Sequence, residues 1–220
     1  MNRNNQYDKY KITTIATKSV ALDFMMDSFG IEKIRLQALK FDKSIPINQR
    51  LISCYLDFET LFVLAEEIRQ GKFFQKVKAS SDEGKPYTIS MGGTKKNSRY
   101  GEVPESKMIK ASFDKTDPKK MFLNLTLGKG KLSKTGLIEP DGKPDVNITI
   151  VTSPAVFRDK IITCEKYAEA YLPNLVGSLM RDYKKEMEER GGKAKSVEET
   201  VRDEAPEDAS DTDIASEDII

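Results

Sequence analysis

The sequence predicts an α+β protein in which antiparallel sheets are closed by helices in two strand-then-helix rounds. Two observations point there. Period-2 alternation over Glu32 to Phe41 and Leu51 to Leu56 is followed by a helical apolar stripe, and the same succession recurs when Val146 to Val151 gives way to a second stripe. Between them lie short alternating runs separated by turn residues, the pattern of antiparallel strands that bury one face and leave the other open.

Residues 1–10 are polar and Asn-rich and predict a flexible N-terminal arm. In the first alternating run, Ile34, Leu36 and Ala38 share one side and Arg35 and Gln37 the other. After a turn around Pro46, Ile52, Cys54 and Leu56 face one way while Ser53 and Tyr55 face the other. Asp57 is placed to cap a helix carrying Leu61, Leu64, Ala65 and Ile68, with Gly71 as its stop. Phe73-Phe74 then reads as extended chain, its two rings pointing oppositely.

Strands are expected over Tyr87 to Met91, Met108 to Phe113 and Lys120 to Leu127, punctuated by Gly92-Gly93, Asp117-Pro118 and Gly128-Lys129-Gly130. Tyr87 and Phe113 fall on the apolar faces of their runs. After Val146 to Val151, Ser153 caps a helix with Pro154 in its first turn. That helix carries Phe157, Ile161, Cys164, Ala168 and Tyr171, and Pro173 is expected to end or kink it. A further helical segment over Asn174 to Arg190 gives way at Gly191-Gly192. The expected organisation is a flexible arm at 1–10, one α+β domain over 11–190 and a disordered acidic tail over 191–220.

Several classes of function find no support. The 220 residues include no histidine, which removes the commonest general base and every Ser–His or Cys–His nucleophile pair. The two cysteines, Cys54 and Cys164, sit in apolar stretches and read as reduced core thiols of a cytoplasmic protein. No dinucleotide fingerprint, nucleophile elbow or zinc pattern is present. Asp57, Glu59, Glu66 and Glu67 are accounted for as helix cap, first-turn charge and solvated face. No enzymatic activity, cofactor or metal is expected, and no apolar run is long enough for a membrane span.

Charge is where the sequence is most uneven. The formal net charge is +1, yet Glu198 to Ile220 holds ten acidic residues against Arg202 alone, which leaves +10 on residues 1–197. Residues 72–134 carry 15 basic and 6 acidic groups and so hold nearly all of that excess. A lysine-rich stretch is either a solvated face or a polyanion site. In Lys120 to Leu127, Met121, Leu123, Leu125 and Leu127 point one way, so Phe122 points outward with Asn124 and Thr126. An aromatic on the polar face of a basic strand is either a stacking platform for bases or part of a second apolar layer under a helix or partner subunit.

The loop Lys95-Lys96-Asn97-Ser98-Arg99-Tyr100-Gly101 combines cations, hydrogen-bonding groups and an aromatic, as wrapping of a phosphate backbone requires. Gly128-Lys129-Gly130-Lys131 with Lys134 brings backbone N–H and ammonium groups together. It is not a P-loop, because Leu125 stands where the first glycine is needed. Lys76, Lys78, Lys95, Lys96, Arg99, Lys110, Lys129, Lys131 and Lys134 are the expected phosphate contacts, and Tyr100 and Phe122 the expected stacking residues.

The tail residues Asp211, Asp213, Glu217, Asp218, Ile219 and Ile220 resemble the acidic, apolar-tipped tails of bacterial and phage single-stranded DNA-binding proteins, the bacterial form ending in Pro-Phe where this chain has Ile-Ile. The two rounds of strands and helix over about residues 31–172 are similar to the PC4 and Whirly group. Lys129-Gly130-Lys131 resembles a Lys-Gly-Lys element of Whirly proteins, in a later strand. The resemblance implies a homo-oligomeric single-stranded DNA-binding protein for replication or recombination of a phage or mobile element. Its tail would recruit replication or recombination proteins or compete with DNA. The rival expectation is an interaction module, a phage scaffold or an inhibitor of a host factor, whose basic face meets an acidic protein.

Overall fold

The computed structural model describes residues 9–96 and 98–203, with side chains to residue 185. Its first round of strands starts before the alternation at Glu32. A hairpin of β1 (Lys11–Ala16) and β2 (Val20–Met25) precedes β3 (Lys33–Lys40). A single helical turn, α1 (Ile47–Arg50), then leads into β4 (Leu51–Asp57). The four strands form an antiparallel meander in the order β1-β2-β3-β4. Val20, Leu22 and Phe24 are buried at every second position of β2, so the strand period is legible there too.

The first helix, α2 (Phe58–Arg69), buries Leu61, Leu64, Ala65 and Ile68 as its stripe requires. Asp57 stands at the N-cap position but makes no capping bond; its carboxylate pairs instead with Lys33 Nζ at 2.9 Å across β3 and β4. Gly71, at φ +73°, ends the helix, and the chain enters α3 (Lys72–Asp82) at once. Phe73-Phe74 is therefore helical and not extended. Phe73, Val77 and Ser81 recur at every fourth position and are buried, which is the signal that the pair of rings obscured. The Ser81 hydroxyl donates to the Val77 carbonyl and accepts from Phe113 N–H at 2.9 Å, fastening α3 to the second sheet.

That sheet contains β5 (Tyr87–Thr94), β6 (Glu105–Phe113), β7 (Met121–Leu132), β8 (Ile138–Pro140) and β9 (Val146–Thr152). β6 lies between β5 and β7. β9 pairs with the Met121–Leu127 part of β7, and β8 with the Gly130–Leu132 part, all antiparallel. Two expected turns are corrected here. Gly92-Gly93 and Gly128-Lys129-Gly130 lie inside β5 and β7. Glycine serves close packing: a Cβ on Gly93 would lie 1.9 Å from the Glu105 carbonyl oxygen, and one on Gly130 2.7 Å from Ile138 Cγ2.

The last helix, α4 (Pro154–Asp203), begins where expected, and the Ser153 hydroxyl accepts from Val156 N–H at 3.2 Å. Phe157, Ile161, Cys164 and Ala168 face the core. Arg69 donates two hydrogen bonds to the buried Glu165 carboxylate, joining α2 to α4. Pro173 lies inside the helix and does not end it, although its missing N–H removes one i→i−4 bond.

The chain divides at that residue into two compact units, Met1–Leu172 and Pro173–Ile220. Helical backbone continues through Gly191-Gly192 to Asp203, so residues 191–203 of the segment expected to be disordered are helical. Good helix formers such as Lys, Ala and Glu outweigh two glycines there, each costing about 1 kcal/mol. Residues 1–8 of the expected arm and 204–220 of the tail, with Asp211, Asp213, Glu217, Asp218, Ile219 and Ile220, lie outside the described residues.

In the first unit, the inward faces of both sheets share one core with α2, α3 and the start of α4. Both cysteines are buried thiols. Burial pushes Cys54 up to about 12 and raises Cys164 as well, so neither is a thiolate at neutral pH.

Candidate nucleic-acid interface

The two faces of the second sheet are chemically unlike. Leu123, Leu125, Ile109, Ala111, Ile148 and Ile150 point into the core. On the other face Phe122 lies between Ser112 and Val151, and Lys110 lies between Thr88 and Asn124. Thr149 Oγ1 donates to Asn124 Oδ1 at 2.7 Å and sets that amide's orientation. Next along the face is the row Met91, Met108, Thr126 and Asn147. Phe122 is half-buried, belongs to no aromatic pair among the described residues and is not part of the core. Val151 beside it is 39% exposed, which leaves that side of the ring open.

The face closes toward the other end of the strands. Ile138 of β8 lies over Gly93 and Gly130, and Pro144 lies over Gly128. Most of the remaining cations stand at that end of the strands, with Lys129 and Lys131 at alternate positions to Phe122 and so on the opposite side of β7. Thr94, Glu105 and Lys129 share one row, so the Lys95-Lys96 turn and Lys129, Lys131 and Lys134 gather at the same end of the sheet. Seven residues along β7 separate Phe122 from Lys129, about 24 Å at strand rise.

Pairing divides the basic residues of 72–134. Lys76 is held by Glu67, Lys120 by Asp114, and both Arg99 and Lys107 by Glu105. Lys78, Lys95, Lys96, Lys110, Lys129, Lys131 and Lys134 form no ion pair among the described residues. Burial alone would raise the Glu105 carboxyl, but Lys107 and Arg99 outweigh it and hold the group below its ordinary 4.5.

The expected site is therefore assembled only in part. Phe122 and Lys110 share an open face, and five lysines share one sheet end. Lys76 and Lys78 lie apart on α3. Arg99 and Tyr100 are braces: Arg99 also donates to the Asn48 carbonyl, and the Tyr100 hydroxyl donates to Asp145. Burial and that carboxylate push the Tyr100 phenol up to about 12. Its ring packs against the core, not beside Phe122.

A groove of about 450 Å³ runs between β4, the edge of the first sheet, and β5, the edge of the second. Tyr55, Lys33 and Ile31 form one side, Met91 and Lys96 the other, with Gly92 and Lys107 also lining it. None of the side chains in it except Lys96 was singled out from sequence as a contact. Tyr55 signalled itself only as an aromatic on the polar side of its strand. Met91 was hidden by a bulge between Thr88 and Ser90, which turns it from the apolar to the open face.

Compared with protein-family models, curated proteins and solved structures, the chain matches none. Among the described residues no helix is long and apolar enough to cross a membrane, and no cluster of His, Cys, Asp and Glu has a metal-binding arrangement.

Proposed function

We propose that the chain is a non-enzymatic single-stranded DNA-binding protein, acting in replication or recombination of a phage or mobile element. The observation that carries this reading is Phe122, an aromatic outside the core on an open sheet face beside the unpaired Lys110. A flat ring there stacks on any base, and the lysines at the sheet end neutralise phosphates. Two antiparallel sheets, of four strands and of five, each followed by a helix, accord with a PC4- or Whirly-like platform, and Lys129-Gly130-Lys131 is its phosphate-facing element. The acidic stretch Glu198 to Ile220 competes with DNA for the lysines and recruits replication or recombination proteins. The working form is a homo-oligomer in the cytoplasm.

Titration of a thymidine oligonucleotide at several salt concentrations tests this reading. Affinity is expected to fall steeply with salt, with a slope of about −0.7 per phosphate contact. Binding that ignores salt, or that prefers duplex, contradicts it. Deleting Glu198 to Ile220 should tighten binding most at low salt; unchanged affinity would remove the competition.

One observation favours the rival reading of a protein-interaction module. Phe74, Phe113 and Pro118 line a groove of about 410 Å³ between α3 and the β6–β7 turn, with Lys78 and Lys115 beside them. Asp82 and Asp114 also line it, so this apolar groove with charges of both signs suits a partner protein whose acidic groups meet Lys78 and Lys115. Lys78→Glu with Lys115→Glu should then abolish capture of that partner while leaving oligonucleotide affinity almost unchanged.

A further inference from the structure

The groove between β4 and β5 has a feature that packing does not explain. Gly93 is glycine because a Cβ would strike the Glu105 carbonyl, whereas a Cβ on its neighbour Gly92 would meet nothing within 4 Å. Gly92 also lies outside the left-handed φ region, so its backbone tolerates any L residue. A side chain at Gly92 would therefore start into open space, in a groove that also contains Tyr55, 43% exposed, and Met91.

We propose that this groove is a slot for one unstacked nucleotide of a bound single strand, its base lying over Gly92 against Tyr55 and Met91. The proposal rests on the single-stranded DNA reading and adds to it a second, separate place of contact. About 450 Å³ exceeds what one base needs and lies within the range of small-molecule sites. The lining mixes the apolar surface that a base face needs with the Ser90 hydroxyl and with the Thr94 hydroxyl, which donates to the Lys96 carbonyl and can still accept from a base edge. Lys33 and Lys107 are neutralised by Asp57 and Glu105, which leaves Lys96 as the unpaired cation for the phosphate. It stands next to Lys95, at the sheet end that holds Lys129, Lys131 and Lys134.

An extended peptide adding to a strand edge is the other occupant such a groove invites. The β5 edge argues against it. The strand is bulged between Thr88 and Ser90, holds two glycines and ends in Lys95-Lys96, devices that protect an edge from strand addition.

The test compares wild type with Gly92→Leu and Tyr55→Ser, each checked by thermal melting, using a thymidine oligonucleotide carrying one 2-aminopurine. Gly92→Leu, whose Cβ meets nothing within 4 Å, extends a side chain into the groove and should bind roughly 5- to 150-fold more weakly, the range of one lost stacked base, with loss of the 2-aminopurine signal change. Tyr55→Ser should lose the same signal and provides the readout should Gly92→Leu fail to fold. If both variants bind and report as wild type does, the slot is overturned while the single-stranded DNA reading stands. If wild type binds no oligonucleotide, that reading falls and the slot with it.

Discussion

The outward faces of the two sheets differ in what their charges are doing. On the first sheet, Lys11 meets Asp23 at 3.5 Å, Arg35 meets Asp27, and Lys33 meets Asp57, while Thr14 donates to Asp23. The charges of that face are paired with one another, while Tyr55 stands exposed at its β4 edge. On the second sheet the corresponding face has a single lysine, Lys110, with no acid beside it, and an aromatic outside the core. Two strand-then-helix rounds of similar outline thus differ in chemistry: the first pairs its outward cations with acids, and the second leaves Lys110 unpaired beside Phe122. Cation density marks a region, and pairing separates the committed cations from the rest within it: in 72–134, Lys76, Arg99 and Lys107 are as basic as Lys96 and Lys110 but already committed.

The comparison can be broken most severely at the cationic end. Replacing Lys95, Lys96, Lys129, Lys131 and Lys134 with Gln should reduce the salt slope of oligonucleotide binding by about 3.5 and weaken low-salt binding by several orders of magnitude. A slope unchanged within error would mean these lysines are merely solvated. Phe122→Leu comes next. Its expected cost is about 1–3 kcal/mol of binding, read by titration, with a small change in melting temperature because the ring lies outside the core.

Arg35→Gln on the first sheet should show the reverse. It breaks the Asp27 pair at a cost of about 1 kcal/mol in chemical denaturation and leaves oligonucleotide affinity unchanged. The smallest effect is on pH dependence. The Glu105 carboxyl is held below its unfolded value, so its contribution to stability is present at neutral pH and is lost as pH falls through the folded value, below 4.5. Glu105→Gln should flatten that part of the acid denaturation profile.

Much of this fold was legible from period and turn chemistry. β3, β4, α2, β9 and the start of α4 lie where alternation, the helical stripe, Gly71 and Ser153 place them. The open position of Phe122 follows from the alternation of Met121, Leu123, Leu125 and Leu127 alone. What could not be read depends on partners distant in sequence. Gly93 and Gly130 look like turn residues until Glu105 and Ile138 are seen to occupy their side-chain space. Asp57 looks like a cap until Lys33 reaches it. Tyr100 looks like a stacking residue until Asp145, 45 residues away, takes its hydroxyl. The groove was hidden for the same reason, since its two walls come from edge strands of different sheets.

The most direct test of the account is the salt dependence of oligonucleotide binding measured in parallel for wild type, Phe122→Leu and Arg35→Gln. The account predicts tight, steeply salt-dependent binding by wild type and by Arg35→Gln. It predicts weaker binding with an unchanged slope for Phe122→Leu, because stacking and phosphate contacts are lost separately. Equal affinities for Phe122→Leu and wild type, or a loss confined to Arg35→Gln, would contradict it by placing the nucleic acid on the wrong sheet.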